Sequence, residues 1–257
     1  MPHRSRIHCP ALLITTLALT PASVAGPPMI TDDPGTQPAG TWEENFALTL
    51  TRTGQTSAWN TPFVDNNYSP TDDLQLTFQF APAILDDRNA GPVGGIAPVT
   101  LATKYRILRE NADALGLSAA VTPAFTFDSG TPGVRHGLGV DGWTLFLPVE
   151  INQKLGDHLD VFAEAGYLFV QFGGDRWSYG ICADWHPGTG ANDLHLLAEL
   201  HVVSSSAFRF NDVVVNLGAV CPLRDGINLQ LSAGRALRDT DESSQLLVFA
   251  GLQFLLK

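Results

Sequence analysis

From Asp72 to Phe80 the chain alternates strictly. Leu74, Leu76, Phe78 and Phe80 fall on one face of an extended strand, and Gln75, Thr77 and Gln79 fall on the other. The same period-two pattern returns along most of the sequence, in runs of roughly ten residues separated by turn-forming residues. It predicts strands at Trp42–Thr51, Trp59–Tyr68, Leu74–Phe80, Pro98–Ile107, Leu115–Phe127, Trp143–Ile151, Leu159–Phe169, Trp177–Trp185, Leu194–Val202, Val213–Cys221, Ile227–Leu237 and Leu246–Leu256. The second is the weakest, because Pro62 takes a ladder donor from its middle. Pro123 predicts a bulge in the fifth. Ala81–Gly95 reads as a long loop between the third and fourth.

Runs of this length, apolar on one face and polar on the other, are what a closed barrel needs to cross a bilayer with every backbone amide paired. The expectation is an all-β chain: a transmembrane antiparallel up-and-down β-barrel of about twelve strands over residues 41–257. An even count places both termini on the periplasmic side. A soluble sandwich with half-buried strands would alternate in the same way. The aromatic residues separate the two readings. Trp59, Trp143, Tyr167, Trp177 and Tyr179 fall near one rim, and Trp42, Tyr68, Tyr105 and Trp185 near the other. Two girdles of Trp and Tyr suit two membrane–water interfaces.

The start of the chain has a different character. Arg4 and Arg6 precede an apolar run from Ala11 to Leu19, and Ser23-Val24-Ala25 ends it. That order predicts a cleavable export signal over residues 1–25, cut after Ala25. The run is too short for a membrane-spanning helix. Residues 26–40 then hold Pro27, Pro28, Asp32, Asp33, Pro34, Gly35, Pro38 and Gly40, a composition that excludes a strand.

Charge narrows the partners. The chain has 15 basic and 26 acidic residues, a formal net charge of −11, and removing residues 1–25 takes away two arginines and no acid. A protein this acidic lacks the clustered cations that nucleic acid requires. The expected partners are the lipid bilayer, the outer-membrane insertion machinery and a small-molecule solute. Beyond the leader, two cysteines remain. Cys182 falls on the polar face and Cys221 on the apolar one, so no disulfide between them is expected.

The most specific string follows the leader. Pro28-Met29-Ile30-Thr31-Asp32-Asp33-Pro34 leads into Gly40-Thr41-Trp42-Glu43, and Asp65-x-Asn67-Tyr68 precedes Leu74-Gln75-Leu76. Thr31, Asp32, Asp33, Pro34, Trp42 and Glu43 resemble the opening of the bacterial outer-membrane family named for the MetA pathway of phenol degradation. Ser69-Pro70-Thr71-Asp72 departs from that family's glycine-containing turn. Gly137-x-Gly139 before a Trp-bearing strand matches in pattern only, and the terminal Phe254-Leu255-Leu256-Lys257 lacks the final aromatic of many outer-membrane proteins. The resemblance implies an outer-membrane barrel with a transport role and hydrophobic or aromatic substrates.

Candidate functional residues follow from the inward faces: Lys104, Arg106, Glu150, Asp160, Glu164, Arg176, Asp184, His195, Glu199 and His201. Charges of both signs inside a barrel either line a wet passage and set its selectivity or pair into a plug. Arg106, Glu164, Arg176 and Asp184 are the selectivity candidates. His195 and His201 lie six residues apart on one strand, roughly 20 Å, too far to share one metal ion. No metal or cofactor is expected. His201 with Ser204 invites a lipid-hydrolase reading, but His201 faces inward while barrel hydrolases work from the lipid side. No phosphate loop, Cys-x-x-Cys or nucleophile elbow occurs. The expected function is passive passage of small solutes without enzymatic activity. The alternatives are a closed structural barrel and a barrel lipid hydrolase. Thr31–Pro34 is expected to tuck into the periplasmic mouth as a plug or latch.

Overall fold

The computed structural model describes residues 26–110, 116–131, 138–139, 142–188, 193–208, 211–238 and 243–257. The predicted export signal over 1–25, the strand start at Leu115, Gly137 and parts of several predicted loops lie outside the described residues.

Every regular element among the described residues is a strand: β1 (Thr41–Arg52), β2 (Thr56–Thr71), β3 (Leu74–Phe80), β4 (Pro82–Asp87), β5 (Gly91–Ile96), β6 (Val99–Leu108), β7 (Leu117–Val121), β8 (Ala124–Phe127), β9 (Trp143–Lys154), β10 (Leu159–Val170), β11 (Arg176–Trp185), β12 (His195–Ser205), β13 (Asn211–Arg224), β14 (Ile227–Ala236) and β15 (Leu246–Leu256). They form a closed twelve-stranded antiparallel barrel. Three crossings are each interrupted once, which is why fifteen strands make twelve crossings. β3 continues as β4 past Ala81, β5 continues as β6 past Ala97–Pro98, and β7 continues as β8 past Thr122–Pro123. Closure comes from β1, which pairs β2 on one side and β15 on the other, from Trp42 opposite Leu256 to Arg52 opposite Leu246. Closure leaves β5, which pairs with β4 alone, as the strand with an open edge among the described residues. The end that carries β1's start and β15's finish is called the near end here, and the opposite one the far end.

Two expectations need correction. Ala81–Gly95 is not a loop. β4 and β5 form a hairpin, Pro82 opposite Ile96 through Asp87 opposite Gly91, that carries the barrel wall beyond the far rim. The alternation simply continues, with Ala83 and Leu85 buried and Ile84 exposed. Pro82, Pro92 and the glycines mask it in sequence, and Gly91 at φ 80° makes the turn. The second strand is longer than Trp59–Tyr68 and pairs along its length. Thr61 and Pro62 together face Leu48, a bulge that absorbs the proline's missing donor.

Outward residues stay exposed although they are large and apolar. Leu101, Ile107, Val149, Ile181 and Leu217 are 48%, 58%, 50%, 50% and 62% exposed. An apolar belt this extensive is not tolerated on a water-facing surface. At its margins Trp42 packs on Tyr68 with ring centres 4.6 Å apart, and Tyr167 packs on Trp177 at 4.8 Å. The inward face instead buries polar side chains: Asn45, Asp65, Asn67, Gln75, Gln79, Glu150, Glu164, Glu199, Asn216 and Gln230.

Candidate functional site

Polar residues fill much of the interior, and many of them pair with one another across the ladders. Asp65 accepts from Asn45, Asn67 and Gln79, each at 3.1 Å. Asn67 accepts from Gln75 at 3.1 Å and Thr77 at 2.6 Å. This network lines one side of the lumen over β1, β2 and β3.

The other side holds residues 27–33, which run inside the barrel rather than over its mouth. Glu199 on β12 accepts the Thr31 amide, and the Ile30 amide at 3.1 Å. Asn216 on β13 donates to the same carboxylate at 3.2 Å. Gln230 and Ser232 on β14 donate to the carbonyls of Pro27 (3.1 Å) and Pro28 (2.7 Å). Lys104 on β6 reaches Asp32 at 2.8 Å, donates to the Asp33 carbonyl at 2.6 Å, and lies 3.6 Å from Glu150. Met29 enters an apolar nest of Phe162, Cys182 and Leu197. Six strands thus hold one short segment by its backbone, its one methionine and one carboxylate. Asp32 and Asp33 also make their own turn, through Asp33 N–H to Asp32 and Gly35 N–H to Asp33.

The segment divides the lumen. On the far side lies a cavity of about 200 Å³ with Phe63, Leu247, Phe249 and Leu138 in its walls and Met29 and Ile30 in its floor. On the near side lie two chambers of about 240 and 230 Å³. The first is lined by Asp32, Glu43, Asp65 and Lys104, the second by Asp184, Asp193 and His195. The far-side cavity is mainly apolar, the first near-side chamber is polar, and the second mixes polar groups with Phe162, Leu197 and Val220.

The candidates fall into groups. Lys104, Glu150 and Glu164 come together at mid-barrel with Asp32; Glu164 and Glu150 are ladder partners. Glu199 and His201 are buried on the same inner face, and His201 Nε2 lies 3.0 Å from Ser178 Oγ. Asp160, Asp184 and His195 stand at the near end, where His195 Nδ1 is 2.8 Å from Asp184. Arg176 stands at the far end of β11. Arg106 is at the near rim, 3.2 Å from Asp73, which Arg109 also binds. The hydrogen bond from Arg109 holds the Asp73 carboxyl below the usual carboxylate range. Arg106 and Asp184 therefore lie toward the near end, Glu164 at mid-barrel and Arg176 at the far end, and the four form no single constriction. Glu43 takes hydrogen bonds from Asn45 at 2.9 Å and Gln37 at 2.6 Å, and Trp42 faces outward. Pro34 is fully buried.

The hydrolase pair is split by the sheet. His201 points into the lumen, and Ser204, three residues on, lies on the other face, with its Oγ 3.1 Å from the Tyr179 hydroxyl.

Sequence reasoning missed the amide and hydroxyl partners Asn216, Gln230 and Ser232. It also missed Gly180 and Gly218, where an added methyl would overlap Thr31 and Met29 respectively. Glycine inside a strand signals the close approach of another chain segment, and that signal was available.

No family model matches the sequence, and no curated protein matches it. Solved structures do. An outer-membrane channel from Pseudomonas putida F1 superposes with a TM-score of 0.61 at 15% identity, over 87% of this chain and 97% of that one. The NanC porin gives 0.58 at 7% identity, over 83% and 99%. The KdgM porin, in complex with disordered oligogalacturonate, gives 0.53 at 9% identity, over 82% and 98%. At such identities the likeness shows the fold, that of outer-membrane barrels.

Proposed function

We propose that this barrel is an outer-membrane channel for passive passage of small solutes, gated by residues 27–33. One observation carries the reading: a segment that belongs to no strand is held across the lumen by groups from β6, β12, β13 and β14. A barrel needing only stability would fill its interior from its own strands. A separable filler with water-sized space above and below it suits a passage that opens. The near end is the periplasmic one, since β1 starts and β15 finishes there.

Small hydrophobic or aromatic solutes are the substrate class. The mainly apolar far-side cavity supports this, and so does the resemblance of Thr31–Pro34 and Trp42–Glu43 to the MetA-pathway family. An engineered apolar cavity of roughly 150 Å³ holds benzene, so about 200 Å³ is enough for one aromatic ring. The inward charges Arg176, Glu164 and Asp184, met in turn along the path, act on selectivity.

Planar-bilayer recording tests the reading. The intact protein should give small or infrequent conductance steps, and deletion of Pro27–Ala39 should give large, steady ones. Silence from both proteins would support the closed structural barrel instead. Liposome swelling with aromatic acids, sugars and alkanes then ranks the solutes.

A further inference from the structure

The near end carries three histidines that the channel reading does not use. His158 immediately precedes β10, His186 immediately follows β11, and His195 begins β12. Leu159 faces Trp185 and Trp185 faces Leu196 in the ladders, so the three histidines stand in one row across three neighbouring strands. His195 faces the lumen, and the row lies on the concave side of the wall, where side chains converge. The ring centres of His186 and His195 are 5.3 Å apart, and those of His158 and His186 are 6.2 Å apart.

Their hydrogen bonds share one feature. His186 Nδ1 is 2.7 Å from the Gly188 carbonyl, His158 Nδ1 is 3.1 Å from the His186 carbonyl, and His195 Nδ1 is 2.8 Å from Asp184 Oδ2. Carbonyls and carboxylates only accept, so each Nδ1 carries the proton and each neutral ring presents its Nε2 lone pair. A histidine oriented by a carbonyl or carboxylate behind it is the usual arrangement of a metal ligand. Asp160 Oδ2 lies 3.6 Å from His186 Nε2.

The geometry points to a binding site for one divalent transition-metal ion, formed by His186, His195 and Asp160, with His158 as a further ligand. Two imidazoles bound to one zinc at ~2.1 Å and a tetrahedral angle place their ring centres about 5 Å apart. The observed 5.3 Å is that separation. Two donor atoms on such an ion stand about 3.4 Å apart, close to the gap between Asp160 and His186. Imidazole and carboxylate together suit zinc, nickel or copper rather than magnesium or calcium. Among the described residues no three donors already converge as a metal set. Closure takes rotation of the Asp160 side chain, near the free end of the wall, and recruiting His158 would exchange its Nδ1 contact with the His186 carbonyl for the metal. Asp184 is a positioning residue, acting through His195. A bound ion would tie β10, β11 and β12 together beside the chamber that holds Asp184, Asp193 and His195. The site does not depend on the channel reading.

Zinc titration of the untagged full-length protein in detergent, against a chromophoric chelator, tests the inference. One ion per chain at micromolar affinity or tighter is expected. Cobalt in its place should give the intense visible absorption of a tetrahedral site. His186→Ala and His195→Ala should each weaken zinc by ~100-fold, and Asp184→Asn by about tenfold with the cobalt spectrum kept. His201→Asn, in the same lumen but remote from the row, should bind like the parent. Circular dichroism of each variant verifies that the barrel is intact. Absence of zinc binding, or equal affinity in the parent, His186→Ala and His195→Ala, overturns the assignment. Equal loss in His201→Asn marks adventitious surface binding and also overturns it.

Discussion

Lys104 Nζ lies 2.8 Å from Asp32 Oδ2, and so ties a strand in the wall to a segment that belongs to no strand. Both side chains are almost fully buried, at 5% and 7% exposure. The same ammonium faces Glu150 at 3.6 Å. Removing one partner of a buried pair strands the other, at a cost of roughly 3–5 kcal/mol. The barrel can relieve that cost by releasing residues 27–33 instead of unfolding. Lys104→Met should therefore raise single-channel conductance several-fold while leaving the strand content of the circular dichroism spectrum unchanged. Adding Asp32→Asn should recover part of the closed state, because the stranded charge on the segment itself is gone and only Glu150 in the wall is left without its cation. Parent-like conductance in Lys104→Met would remove the tie from the gating account.

Gly180 and Gly218 offer a test that leaves every charge in place. Their missing side chains make room for Thr31 and Met29. Valine at either position suits a strand but occupies the docking space. Gly180→Val should open the channel in bilayer recordings with the wall intact, and Gly218→Val should open it at some cost to the β13–β14 pairing, because its Cβ would also meet the Leu231 carbonyl. Gly174→Ala is the control, since nothing lies within 4 Å of a methyl group there. Quiet bilayers from both valine variants would mean that the segment docks in another way.

Much of this was legible before the fold. Alternation marks all twelve crossings, because the membrane and the lumen impose opposite demands on successive side chains. It failed at Ala81–Gly95, where Pro82, Pro92 and three glycines look like a loop although Ala83 and Leu85 keep the inward parity. The inward charges could be named, but not their heights. Parity fixes a face, whereas Arg106 and Glu164 differ in position along the barrel axis, which depends on strand stagger. The polar partners of residues 27–33 were invisible because a segment without period carries no register, although the strand glycines Gly180 and Gly218 signalled a close approach. The histidine row was hidden for a related reason: His158, His186 and His195 are neighbours only through strand pairing.

The near-end turn gives a prediction with pH. Arg109 and Arg106 both bind Asp73 and hold its carboxyl below the usual range. A depressed carboxyl contributes stability that is present above the unfolded-state value of about 3.9 and is lost as pH falls through the folded value. Because the group is solvated, the effect is local. Amide hydrogen exchange around residues 72–74, corrected for its intrinsic pH dependence, should quicken below about pH 4. Asp73→Asn should exchange that quickly at neutral pH. Protection that is flat from neutral pH to pH 3 would assign the turn's order to its backbone alone.

Leu217 discriminates between a lipid-facing wall and a water-facing one. It sits in the middle of β13, 62% exposed, with Ala198 and Ala233 as its ladder partners. Neither alanine can cover it, so the solvent must. In water an exposed leucine-to-arginine change typically stays within about 0.5 kcal/mol of neutral. At the midplane of a bilayer the same change costs about 2–4 kcal/mol, because the guanidinium must be hydrated across lipid. Leu217→Arg should therefore lower the unfolding free energy in phospholipid vesicles by that amount, read as a lower guanidinium midpoint at unchanged slope. The same substitution at Ile84, Ile84→Arg, should cost far less, since Ile84 lies opposite Trp59 in the aromatic girdle, where the guanidinium reaches water. A neutral Leu217→Arg would mean that this face meets water, and the alternation along the chain would then describe a sheet of another kind.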